Sequence, residues 1–312
     1  MSEKTQLNTD ATKAVTCDYH NATGVIKHSL KNDMVFHMVM NKSKKALKGL
    51  ICAVKGLNPD DVKSVNILNP IDYGNYVSKE VILDVKVELN NNEILDVELQ
   101  VYMDKYWDRR SLLYLCRAFD SIDSNDSYSK LKPTTMITIT ERSFISDPGE
   151  PEFYSHYEFL NIKNHHPYSS LLRINVLYLD QTKLATNEDI ENDLVHWAEL
   201  LFKATTWEEI KSIVDGNPTF EEVANRMYSA NTIPEEQTYI EAHERFLAQK
   251  RGAHDAGVDE GIEIGLAKAQ SIIDEKDATI AEKDKRIAEK DKRIAEKDKE
   301  IAELKAQLAK QN

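Results

Sequence analysis

The sequence predicts an α/β body followed by a helical extension and a long C-terminal heptad-repeat helix. Three observations carry this reading. Apolar residues recur at helical spacing from Val25 to about Leu57, several strand-like runs begin at Val65, and a seven-residue repeat starts at Ile280.

The elements follow in order. Residues 1–24 are polar and read as a mobile N-terminal segment. Phe36, Met40, Leu47, Leu50, Ile51 and Val54 mark one helical segment, which Leu57-Asn58-Pro59 closes. Strands are expected at Val65–Leu68, Val81–Leu89, Ile94–Val101, Thr135–Thr140 and Leu171–Leu179. Between the third and fourth lies DKYWDRRSLLYLCRAFDSI, an amphipathic helix with Trp107, Leu112, Leu115, Cys116 and Phe119 on one face. From 188 to about 250 the chain is acidic and helical, with Trp197, Leu200, Leu201, Ile210, Ile213 and Val223 as expected core. These runs divide the chain into a core at 25–185, a helical extension at 186–252 and a terminal region at 253–312.

Composition narrows the function classes. The chain has 312 residues, 41% hydrophobic and 30% charged, with a formal net charge of −13. That balance argues against a surface that coats nucleic acid broadly, while leaving room for a local basic groove. Lys42, Lys44, Lys45 and Lys48 form one basic cluster; Lys105, Arg109, Arg110 and Arg117 form another. Either they track a DNA backbone or they are solvated faces. Cys17, Cys52 and Cys116 are odd in number and lack metal-ligand spacing, so they read as small buried residues in a reducing compartment. No run approaches the ~20 apolar residues of a membrane span, and the N-terminus lacks a signal-peptide core, so no membrane and a cytoplasmic location are expected. His165-His166-Pro167 has no partner at ligand spacing and reads as a loop. No glycine-rich phosphate loop precedes a helix.

The terminal region opens with glycines at 257, 261 and 265, which suit close helix approach or, more simply, a hinge-like junction. Then IAEKDKR repeats, placing Ile280, Ile287, Ile294, Ile301 and Leu308 at one heptad position, while the second apolar position is missing until Leu304. Two readings stand. One is a weak coiled coil in a homo-oligomer. The other is a solvated single helix held by Glu282–Arg286, Lys285–Glu289, Glu289–Arg293 and Lys292–Glu296.

The chemistry concentrates in VILDVKVELNNNEILDVELQV, residues 81–101. Strand side chains alternate faces, so Val81, Leu83, Val85, Val87 and Leu89 share one face, as do Leu95, Val97, Leu99 and Val101. A three-residue loop, Asn90-Asn91-Asn92, keeps both sets on one side if paired positions sum to 182. That register sets Asp84 opposite Glu98, with β-carbons ~5 Å apart. Facing carboxylates repel unless a cation offsets them. Mg²⁺ suits two carboxylates, the Leu99 carbonyl and waters, with Gln100 on the same face to orient a water or a phosphate oxygen. A wet hairpin face, with Lys86 pairing Asp96 or Glu98, explains the same spacing without a metal.

The hairpin resembles that of the PD-(D/E)XK nuclease superfamily, and more closely its recombination-promoting nuclease (Rpn) branch, often labelled PD-(D/E)XK family transposase. The residues carrying the resemblance are Asp84…Glu98-Leu99-Gln100, NDMVFHMVM around Asp33 and Phe36, RSLLYLCRAF from Arg110, YSKLKPTTMITI, FYSHYEFLN and LYLDQTK, over roughly residues 25–270. The resemblance implies a restriction-endonuclease-like fold and a metal-dependent DNA endonuclease, with roles in recombination or in mobile-element and defence processes. It implies Asp84 and Glu98 as Mg²⁺ ligands (Mn²⁺ substituting), Gln100 in the slot of the superfamily lysine, and Asp33 as the helix acid completing the catalytic set. Lys105, Arg109 and Arg110 would contact DNA phosphates. Arg110 and Tyr114 would stand near the site, on a phosphate or bracing the sheet. The sequence departs from the family pattern at His37, Val39 and Leu113, which bears on DNA affinity and helix packing. The alternative is a catalytically inactive nuclease-like scaffold assembling through its C-terminal helix.

Overall fold

The computed structural model describes residues 18–69, 85–90, 92–100, 106–120, 122–123, 125–141 and 151–311, with side chains to 306. Helices α1 (Asp33–Lys42) and α2 (Lys44–Lys55) replace the single helical segment expected from Val25 onward. Ser43 divides them. Its backbone is extended (φ −124°) and its side chain accepts from Ala46 N at 3.1 Å, so it closes α1 and caps α2. Asn32 caps α1 through Met34 N and Val35 N. Gly56, at φ +60°, ends α2 in the left-handed conformation that costs glycine least.

The described strands are β1 (Val65–Ile67), β2 (Val85–Leu89), β3 (Glu93–Gln100), β4 (Thr134–Thr140), β5 (Tyr154–Leu160) and β6 (Pro167–Tyr178). They form one mixed sheet in the order β1-β2-β3-β4-β6-β5. Strands β3, β4 and β6 are mutually parallel, and α3 (Trp107–Phe119) lies between β3 and β4 in the chain. β5 has no counterpart among the strands expected from alternation. It is an edge strand, exposed over most of its length and bulged at Glu158–Leu160, so no buried face imposes the period of two.

The β2–β3 hairpin has the register expected for it. Its pairs run from Val85↔Val97 to Leu89↔Glu93, each summing to 182. Asn90 takes φ +52°, and its side-chain oxygen accepts from Lys63 N and Ser64 N. The loop is thereby fixed to the segment leading into β1.

Two cores flank the sheet. The larger joins Val85, Val87, Leu95, Val97, Leu99, Ile137 and Ile139 to α1, α2 and the helices α5 (Leu194–Ala198), α6 (Trp207–Val214) and α7 (Pro218–Thr232); α4 (Asn187–Glu191) precedes them. The expected core residues Trp197, Leu200, Leu201, Ile210 and Val223 are buried there, and Ile213 packs against it. Each large aliphatic side chain so buried contributes ~1.5–3 kcal/mol. The smaller core joins Trp107 and Leu115 of α3 to Met136, with Tyr114, Leu172 and Ile174 alongside. Here α3 departs from expectation. It buries Trp107, Ser111, Leu115 and Ala118 and leaves Leu112 and Cys116 exposed. The small side chains of Ser111 and Ala118 let the helix settle close to the sheet, which turns the leucine-rich face outward. Cys52 is buried as expected.

Helix α8 (Pro234–Gln311) begins within the first compact unit, which ends at His243; a second unit starts at Glu244. The helix runs through Gly257, Gly261 and Gly265 without a break, and among the described residues nothing within 4 Å would meet a β-carbon at any of the three. Among the described residues, no helix is long and apolar enough to cross a membrane.

Candidate active site

The face of β3 opposite the large core carries Asp96, Glu98 and Gln100. In parallel register with β4 these residues stand beside Met136, Thr138 and Thr140, and Met136 packs under α3. Across the hairpin, Lys86 faces Asp96. Asp96 is buried. The sequence therefore places three oxygen-bearing side chains in alternation on one strand face, and α3 covers that face.

Arg110 of α3 closes the group. Its Nη2 donates to Glu98 Oε1 at 2.8 Å and to Gln100 Oε1 at 2.5 Å. The guanidinium stacks over the Trp107 ring at 4.6 Å and lies 5.7 Å from the Tyr114 centroid. Those aromatics sit three residues before and four after Arg110, the helical spacing that brings side chains together. The Glu98 side chain is 13% exposed and that of Arg110 31%, so the ion pair is only partly screened by water. Arginine only donates, so Gln100 must turn its carbonyl oxygen to the guanidinium and direct its NH₂ elsewhere. The family resemblance implies Arg110 near the site, on a phosphate or as a brace; the bridge to both Glu98 and Gln100 emerges only from the packing of α3, although the Trp107/Arg110/Tyr114 spacing is there to be read.

The remaining site residues are distributed as follows. Asp84 and Lys105 lie outside the described residues. Leu99 turns its side chain into the large core, so only its backbone could serve a site on the Glu98 face. Asp33 sits at the first turn of α1, on the other side of the sheet from α3. Its Oδ1 accepts from Met34 N at 3.2 Å and its Oδ2 lies 3.3 Å from Nε2 of the buried His243. Among the described residues no hydrogen bond joins Asp33 to Glu98 or Gln100. The start of α1 does reach the end of β4, where Lys31 Nζ lies 3.8 Å from Glu141 Oε1. Arg109 is exposed and rests 5.5 Å from the Tyr106 ring centroid.

The described residues of the two basic clusters lie on helices packed against opposite faces of the sheet. In the first, Lys42 pairs with Glu236 at 2.7 Å and Lys48 donates to the Val62 carbonyl at 3.0 Å. His37 is fully buried, and desolvation lowers its pKa from 6.5 to about 4, against the opposing field of Asp33. It is neutral at physiological pH and is no DNA contact. His165 and His166 lie in the exposed loop between β5 and β6.

Among the described residues, Glu98 and Gln100 offer carboxylate and amide oxygens beside the strand backbone, donors that suit a hard divalent cation. Among the described residues no group of three or more His, Cys, Asp or Glu could hold a metal ion by itself. The expected pair includes Asp84, which lies outside them.

No curated protein and no solved structure matches this chain. A family model described as PD-(D/E)XK nuclease family transposase matches residues 30–256, a span holding the whole described sheet, α3, Glu98, Gln100 and Arg110. The chain belongs to the PD-(D/E)XK nuclease family of transposase type.

Proposed function

We propose that the protein is a metal-dependent DNA endonuclease that hydrolyses phosphodiester bonds at the Glu98 face of β3. One observation carries the reading: a guanidinium bridges the acid and the amide of Glu98-Leu99-Gln100, the residues for which the family resemblance implies a metal ligand and the lysine slot. The hairpin register supports it. Five consecutive pairs sum to 182, and one further pair would set Asp84 opposite Glu98.

Asp84, Glu98 and the Leu99 carbonyl would hold Mg²⁺, with Mn²⁺ as substitute; bound there, the ion would neutralise a phosphoryl oxygen and acidify a water. The chain's own groups do the rest. Arg110 keeps the Glu98 carboxylate oriented and adds the positive charge that Gln100 lacks in the superfamily lysine slot. Gln100, its oxygen held by Arg110, directs its NH₂ as a donor to a phosphate oxygen or to the attacking water. Asp33, tied to His243, would complete the set from the start of α1, and Lys105 and Arg109 would meet neighbouring phosphates.

The test is cleavage of supercoiled plasmid with Mg²⁺ or Mn²⁺. Wild-type protein is expected to cleave, and Asp84→Ala and Glu98→Ala to lose activity. Activity that survives Asp84→Ala removes the site assignment. A wild-type chain that binds DNA without cutting it returns the inactive-scaffold reading.

A further inference from the structure

The second compact unit, from Glu244 on, is helical to Gln311 and carries an exposed apolar stripe. Leu266, Ile273, Ile280, Ile287, Ile294 and Ile301 recur every seven residues and are 49–67% exposed. Six β-branched or leucine side chains in one heptad register are a seam for another helix, because only a period of 3.5 keeps a stripe straight against a partner.

The charges around the stripe choose the partner. With the isoleucines at heptad position a, the lysines Lys283, Lys290 and Lys297 fall at d. Asp284, Asp291 and Asp298 fall at e, and Arg286, Arg293 and Glu300 at g. In two parallel strands in register, each g residue meets the e residue five positions further along the other strand. Arg286 then meets Asp291, Arg293 meets Asp298, and Glu300 meets Lys305. All three pairs are of opposite sign, and the last reverses polarity on both sides together. The d lysines lie beside the e aspartates of the other strand, which offsets their poor fit to a core position. In an antiparallel pair, e meets e and g meets g. Aspartate would then face aspartate and arginine would face arginine.

We infer that a second copy of this chain covers the stripe, in a parallel, in-register, two-stranded coiled coil. The inference does not rest on the nuclease reading, and its test uses no activity.

Sedimentation equilibrium on the full chain is expected to give twice the 35.7 kDa mass of one chain. Ile287→Asp with Ile294→Asp should halve it, with the helical signal of the body retained. The charge swap Arg286→Glu with Arg293→Glu should also give single chains, and so should Asp291→Lys with Asp298→Lys. Mixing the two swapped chains should restore the doubled mass. Register and orientation are read by oxidation: in a Cys17→Ser/Cys116→Ser background, Ile287→Cys should crosslink to a dimer and the outward Lys285→Cys should not. A wild-type chain of single mass overturns the proposal. So does a dimer that survives both aspartates, a mass of three or more chains, or equal crosslinking at the two cysteine positions.

Discussion

Replacing Arg110 with methionine keeps most of the stem volume against Trp107 and removes the guanidinium. Two hydrogen bonds disappear, to Glu98 at 2.8 Å and to Gln100. A hydrogen bond to a charged group contributes ~1.5–3 kcal/mol, and the 31% exposure of the Arg110 side chain places the net loss toward the lower end, about 1.5–2 kcal/mol. If that energy orients Glu98 and Gln100 in the transition state, kcat for DNA cleavage falls roughly 10–30-fold. KM is expected to change little, because Arg110 orients Glu98 and Gln100 and its charge counts chiefly in the transition state. The decisive variant adds Gln100→Lys, which returns an ammonium to the strand position itself. Single-turnover plasmid cleavage should recover several-fold in the Arg110→Met/Gln100→Lys chain, although that chain still lacks the bridge. Cleavage by Arg110→Met within two-fold of wild type, a defect in KM alone, or no recovery with Gln100→Lys while thermal melting stays native would each refute a role for Arg110 in the transition state.

Two further outcomes follow from the buried parts of the fold. His37 has its pKa lowered from 6.5 to about 4 by burial. Between those values the unfolded chain takes up a proton that the native chain refuses, so stability is full above pH 6.5 and falls by roughly 3 kcal/mol as the pH drops to about 4. Urea unfolding across this window should show a shallower decline for His37→Gln than for wild type, and equal slopes would contradict the assignment. Gly49 lies in α2 where an added β-carbon would come 2.3 Å from Thr219 Cγ2 on α7. Gly49→Ala gains ~1 kcal/mol of helix propensity but overpacks this contact, for a net loss of ~1–2 kcal/mol. Adding Thr219→Ser, which deletes that methyl, should turn the loss into a gain in urea midpoint; a destabilised double variant would show that the contact is not the cause.

The hairpin was legible because three constraints agreed on it: alternation on both strands, one shared buried face, and an asparagine loop able to take positive φ. Together they leave one register, and that register is present. The α1/α2 boundary was less legible. Apolar spacing runs on past Ser43, and only the capping geometry of that serine reveals the break. The orientation of α3 was missed for a related reason. Leucine counts favoured the Leu112/Cys116 face, whereas close packing favoured Trp107, Ser111, Leu115 and Ala118. The Arg110 bridge depends on how a helix packs across a sheet, a long-range relation that local periodicity does not encode. The residue types at Glu98 and Gln100 were readable from the strand, but their partner was not.

The claim on which the functional account turns is that a hard cation is held at the Glu98 face with Asp84 as the second acid. Calorimetric titration of Mn²⁺ into the wild-type chain, Asp84→Ala and Glu98→Ala tests it most directly. The account predicts saturable binding by wild type that each substitution abolishes or weakens at least ten-fold, with folding unchanged by circular dichroism. Equal Mn²⁺ affinity in wild type and Asp84→Ala would contradict it.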